Sequence, residues 1–179
     1  MTAFPLVPSR PVLPALLAVL CLLAACSPSL NWRQVQGVDA PFVVLLPAKP
    51  ATLSRPIDLD GMTVTMSMTA AEVDGVTFAV GSIALPDAAL GPKALQAMKI
   101  ALVRNINGSI ESEQAGAAGS VDIVATGSIR RNRQPARLLA HFALHDRRVY
   151  QAIIVGTVRA VDALGADAAD TFFTSLKLH

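Results

Sequence analysis

The chain has 179 residues, with 15 Lys and Arg against 13 Asp and Glu, a formal charge of +2. So even a balance gives no electrostatic footing for nucleic acid, which is held by an excess of phosphate-neutralising cations. The length suits one domain with a sizeable core.

Residues 1–10 carry one charged side chain, Arg10, and Val12 to Ala25 carry none, in a run rich in Leu, Ala and Val. A helix needs about 20 apolar residues to cross a bilayer core. This run has 14, with Pro14 near its start, so it reads as a secretory signal over residues 1–25. Its exit, Leu23-Ala24-Ala25-Cys26, resembles the bacterial lipobox. The resemblance implies that the Cys26 sulfur takes a diacylglycerol, that the chain is cut before it, and that the new amino terminus is acylated. Cys21 follows bulky residues and would leave with the signal. Several buried acyl chains make a stable anchor, each methylene adding about 0.8 kcal/mol. Ser27, where Asp would favour the inner membrane, directs the expectation to the periplasmic face of the outer membrane. With Cys26 lipidated no thiol remains, so disulfides, thiolate metal sites and cysteine nucleophiles drop out.

Residues 26–40 read as a tether, and the domain is expected over 41–179. Phe42 to Leu46 is a buried-strand signal closed by Pro47 and Pro50. Leu53–Leu59, Met62–Val73 and Val76–Leu85 are strand-like runs separated by Asp60-Gly61 and Asp74-Gly75, hairpin turns whose residues tolerate positive φ. Pro92 opens a helix with Leu95, Met98, Leu102 and Ile106 at steps of three and four, and Asn107-Gly108 stops it. Strands follow at Ser109–Gln114, Val121–Arg130, Ala136–His145 and Arg148–Val158, and one helix is expected over Val161–Leu176.

Hairpin-linked strands with two main helices describe an α+β domain built on an antiparallel sheet. Phe42-Val43-Val44-Leu45-Leu46-Pro47, Asp146-Arg147-Arg148-Val149-Tyr150, Val155-Gly156 and Phe172-Phe173-Thr174-Ser175-Leu176-Lys177-Leu178, in that order, resemble the PsbP-like α/β/α sandwich. The Asn31-Trp32-Arg33 start is similar to that of uncharacterised bacterial lipoproteins. The resemblance implies a binding or assembly role and transfers no catalytic residue; fold likeness by itself is thin support for any activity.

In Arg137-Leu138-Leu139-Ala140-His141-Phe142-Ala143-Leu144-His145, a period of two puts Arg137, His141 and His145 on one face. If Asp146-Arg147 is a two-residue turn, His145 lies opposite Arg148, Ala143 opposite Tyr150 and His141 opposite Ala152. Arg137, His141, His145, Arg148 and Tyr150 are therefore the candidate binding face. His141 and His145 are about 13 Å apart along the strand, too far to share a metal whose His ligands lie near 2.1 Å. No metal or cofactor is expected. A hydrolase is disfavoured because no Ser stands in a Gly-x-Ser-x-Gly elbow. Arg130, Arg131, Arg133 and Arg137 gather at one end of the strand and Arg147-Arg148 at the other, about 30 Å away. These are solvated turns or two contacts for anionic surface. Glu111 and Glu113 read as guards of an exposed edge, and Met62, Met66 and Met68 as gap-filling core. The expectation is a non-catalytic module that binds or stabilises an envelope protein complex. A carrier of a small apolar or lipid ligand is the alternative, with an enclosed cavity near Leu95, Met98 and Phe142.

Overall fold

A computed structural model describes residues 30–129 and 133–179. The expected signal segment and Cys26, with Arg130 and Arg131, lie outside the described residues. Strand β1 (Arg33–Gln36) falls inside the segment expected as tether, and it pairs antiparallel with β2 (Phe42–Leu46) from Arg33↔Leu46 to Gln36↔Val43. The domain is thus already ordered at Arg33, ahead of the Pro41 boundary. The sequence hides this strand because three of its four side chains are exposed and polar; only Val35 turns toward a core.

Strands β3 (Ala51–Leu59), β4 (Met62–Val73) and β5 (Val76–Ala84) form the expected meander. Both residues of each turn have positive φ: 54° and 82° at Asp60-Gly61, 50° and 77° at Asp74-Gly75, the twist that matches a two-residue hairpin. Helix α1 (Gly91–Asn105) has Pro92 in its first turn, where a missing N–H costs nothing. It ends as Asn107 turns to φ 47°. Gly108 follows, where a Cβ would meet the Thr126 carbonyl at 2.3 Å, so the chain can double back only through glycine.

Strands β6 (Ser109–Ala115), β7 (Val121–Ser128), β8 (Pro135–His145) and β9 (Arg148–Thr157) complete an antiparallel sheet of order β3-β4-β5-β9-β8-β7-β6. The single helix expected near the end is two, α2 (Val158–Leu164) and α3 (Ala166–Ser175). Gly165 between them, at φ 80°, departs from helical geometry and turns the chain. The last strand, β10 (Lys177–Leu178), joins β2, giving a small sheet β1-β2-β10.

The fold is α+β, an antiparallel sheet buried on both faces. Alternation sends Ile83, Leu138, Phe142 and Ile153 to one face, where α1 covers them with Ala94, Leu95 and Met98. It sends Phe78, Val80, Tyr150 and Ile154 to the other, under Phe42, Val44 and Leu46 of the small sheet and Phe172 of α3. The edges are blunted: β3 carries Pro56, and β6 carries Glu111 and Glu113 with a register shift between Ile110 and Ser112.

Candidate functional site

The β8–β9 register pairs His145 with Arg148, Ala143 with Tyr150 and His141 with Ala152, the pairing implied by a two-residue turn. The five candidate side chains share the face of the small sheet, yet they separate into three places. Arg137 at the start of β8 bonds through its Nη1 to the Asp162 carboxylate on α2. His141 Nδ1 lies 2.7 Å from Asp122 Oδ1 on the neighbouring β7. His145, Arg148 and Tyr150 stay together at the β8–β9 turn. A hydrolytic arrangement would need a serine against His141 or His145. Each imidazole has the carboxylate of such an arrangement beside it, Asp122 for His141 and Asp146, at 3.8 Å, for His145, but among the described residues neither is hydrogen-bonded to a serine. Among the described residues no group of three or more His, Cys, Asp or Glu is placed to hold a metal ion.

At the turn the chain makes a recess of about 400 Å³. Asp146 adopts φ 52°, a position that favours glycine, and the Arg147 carbonyl accepts a 2.8 Å hydrogen bond from the Leu85 N–H, fixing the turn to the end of β5. Pairing of β10 with β2 carries His179 to the same rim, where its N–H donates to the Pro41 carbonyl at 3.0 Å. His145, Asp146, Arg147, Arg148, Tyr150 and His179 supply the polar lining; Pro41, Ala84 and Leu85 supply the apolar one.

Tyr150 is fully buried, its ring edge-on to Phe42 at 6.4 Å between centroids. Its hydroxyl has no hydrogen-bond partner among the described residues. Burial pushes the hydroxyl's pKa up, the Arg148 guanidinium works against that shift, and the Asp146 carboxylate adds to it. The hydroxyl is therefore a protonated donor at neutral pH. Leaving such a donor unpaired costs about 1–3 kcal/mol.

Beside the recess, register aligns Ser54, Ser67, Ser82 and Tyr150 across four strands on one face. The Asp39 Oδ2 from the β1–β2 loop accepts from Ser54 Oγ at 2.5 Å and from Ser67 Oγ at 2.8 Å. Those two bonds hold the Asp39 carboxyl below the usual carboxylate range; desolvation opposes them and the Arg148 charge assists. A depressed carboxylate pKa contributes stability that is present above the unfolded value and lost as pH falls through the folded one. Asp39→Asn is accordingly expected to flatten the acid limb of the urea midpoint below about pH 4. Identical limbs in the variant and the parent would show that Asp39 adds nothing there.

The apolar cavity expected between sheet and helix takes a different form. Leu95 and Phe142 are packed in the core, and of the three expected residues Met98 alone lines a crevice, about 220 Å³ in size, with Met66, Met68 and Ile57. Sequence reasoning also missed Lys99, buried on α1 with its Nζ 2.6 Å from Glu113 Oε1, and the approach of His179 to the turn. Neither carries a sequence signal: the first is one lysine in an amphipathic helix, and the second depends on a two-residue strand. Glu111, on the exposed edge strand as expected, accepts a hydrogen bond from Thr126 Oγ1 at 3.0 Å.

No family model matches the chain, and no curated protein matches it. Among solved structures it is similar to a Pseudomonas aeruginosa protein of unknown function, at 9% identity over 75% of this chain and 88% of that one, with a TM-score of 0.35. A likeness of that size identifies neither family nor activity.

Proposed function

We propose that this chain is a lipid-anchored periplasmic binding module: Cys26 is acylated and becomes the first mature residue, and a PsbP-like domain is held at the outer membrane to bind or stabilise an envelope complex without turnover. The observation that carries the reading is the uncharged run from Val12 closing on Leu23-Ala24-Ala25-Cys26. The early start of the domain sharpens it. The Asn31 N–H already donates to the Pro47 carbonyl at 2.8 Å, and the five residue-to-residue steps from Cys26 to Asn31 reach at most about 18 Å. A domain so tethered works close to the headgroups.

Carriage of a small apolar ligand is the second reading, favoured by the crevice at Met98. Its 220 Å³ falls below the roughly 300–1,000 Å³ of ordinary ligand pockets, so a lipid chain would need the helix to move.

Intact mass of the protein from washed membranes, compared with Cys26→Ala, tests the tether. The expected mass is that of residues 26–179 plus acyl chains, lost in the variant together with membrane retention. An unmodified mass with residues 1–25 attached would overturn the reading. Cross-linking in cells then identifies the complex.

A further inference from the structure

We infer that the recess at the β8–β9 turn is a binding site for the phosphate group of a small phosphate ester. The inference deepens the binding reading above by assigning that function a pocket and a ligand class.

Charge comes first. Two arginines, Arg147 and Arg148, line one recess with His145 and His179. One lining carboxylate side chain, Asp146, opposes them and lies 3.8 Å from His145. Among the described residues neither arginine makes an ion pair. Asp39, whose charge is felt by Arg148, is occupied by the hydroxyls of Ser54 and Ser67. The two guanidinium charges are thus left for something else. Arg137, on the same face, contrasts with them, being matched to Asp162.

Geometry comes second. The Tyr150 hydroxyl belongs to a fully buried side chain that lines this recess, and it lacks a partner. A protein seldom buries a donor to no purpose. An acceptor brought into the recess would satisfy it. The donors come from three parts of the chain: the end of β8, the turn with β9, and the residue after β10. Donors converging from separate directions suit a tetrahedral anion with several acceptor oxygens, and Arg's fork binds phosphate oxygens in pairs. Pro41, Ala84 and Leu85 form an apolar wall in a recess of about 400 Å³, which leaves room for an organic substituent beyond the phosphate. Free phosphate esters and phospholipid headgroups share this chemistry.

The test is calorimetric titration of the protein as it is solubilised from membranes in non-ionic detergent, at ionic strength matched with sodium chloride. Three titrants are used: inorganic phosphate, glycerol 3-phosphate, and a water-soluble short-chain phosphatidylglycerol below its micelle concentration. Saturable binding of at least one is expected. Glycerol 3-phosphate binding as tightly as the lipid would identify a free ester as the ligand, and tenfold tighter binding of the lipid would identify a headgroup. Tyr150→Phe removes one charge-assisted hydrogen bond and is expected to weaken binding about tenfold, with a thermal midpoint at or above that of the parent. Arg148→Gln is expected to weaken it at least as much. Lys93→Gln, whose partner is Asp60 beside α1 at 3.2 Å, should leave binding unchanged.

Absence of saturable heat with all three titrants would overturn the inference, as would equal weakening by Lys93→Gln and Arg148→Gln, which would reduce the effect to general charge attraction. Should phosphate fail to bind while Cys26 is acylated and cross-linking finds a complex, the pocket assignment falls and the tethered-module reading stands.

Discussion

Phe172→Ala is expected to destabilise the domain by about 3–5 kcal/mol, the range for deleting a large aromatic side chain from a core that cannot collapse around the loss. Phe172 is fully buried on α3, with its ring 5.4 Å from Phe78 at 83° and 5.2 Å from Phe173. Phe78 in turn meets Trp32 edge-on at 6.1 Å. This aromatic chain links the main sheet, through Phe78, to α3 and to the residues that lead into β1. On its other side α3 is fastened to β2, because Ser175 Oγ accepts a 2.9 Å bond from the Leu45 N–H. The cavity left by Ala would therefore lie at the joint between the two sheets, where walls from different elements have to move together to fill it. Phe172→Leu keeps most of the volume and should cost less, about 1–1.5 kcal/mol. Urea unfolding followed by circular dichroism reads both. A loss under 1 kcal/mol for the alanine variant would mean that α3 does not hold the layers together.

Most of the main sheet was legible because its signals are local. Asp60-Gly61 and Asp74-Gly75 announce hairpins through backbone conformations that few other dipeptides adopt, and the β4 bounds Met62–Val73 are those read from the sequence. The helix over Gly91–Asn105 was legible from Pro92 and its apolar spacing. What escaped depends on partners distant in sequence. Strand β1 has one inward side chain and forms because β2 offers it an edge. Strand β10 has two residues and could not be found by any period of two. Gly165 was read through as helix because an isolated glycine costs a helix only about 1 kcal/mol, whereas here it takes φ 80° and ends one helix before another begins.

For the candidate site, alternation and the turn gave the shared face and the pairings of His145, His141 and Tyr150. They could not show which members of the face would be matched elsewhere. Arg137 and His141 are drawn off by Asp162 and Asp122, carboxylates on other elements that no spacing along β8 reveals. Tyr150 reads from the sequence as one member of a polar cluster; it is buried, with Phe42 of β2 packed edge-on against it. His179 reaches the turn only through the pairing of β10 with β2. Side-chain direction is a local property of a strand, and what covers a face is a property of topology.

The buried lysine supplies the second large effect, and its test is an order of effects. The Lys99 side chain is 7% exposed and its Nζ lies 2.6 Å from Glu113 Oε1, whose side chain is 43% exposed. Removing the carboxylate strands a cation between α1 and β6, and breaking a fully buried pair in this way costs about 3–5 kcal/mol. Water reaches Glu113 and screens part of the interaction, so Glu113→Ala is expected to cost about 2–3 kcal/mol. Lys99→Met removes the charge while keeping an unbranched side chain of similar volume, and is expected to stay within about 1 kcal/mol of the parent. Adding Lys99→Met to Glu113→Ala should then recover most of the loss, since the penalty belongs to the unpaired cation. Denaturation midpoints of the three variants decide the matter. If Lys99→Met alone costs as much as Glu113→Ala, the pair is net attractive and holds β6 on the sheet by its own strength. If the double variant is the worst of the three, the cost lies in lost packing of the edge strand. Recovery in the double variant is the result that the 7% exposure of Lys99 demands, because desolvation of a cation without a partner outweighs what one half-exposed carboxylate returns.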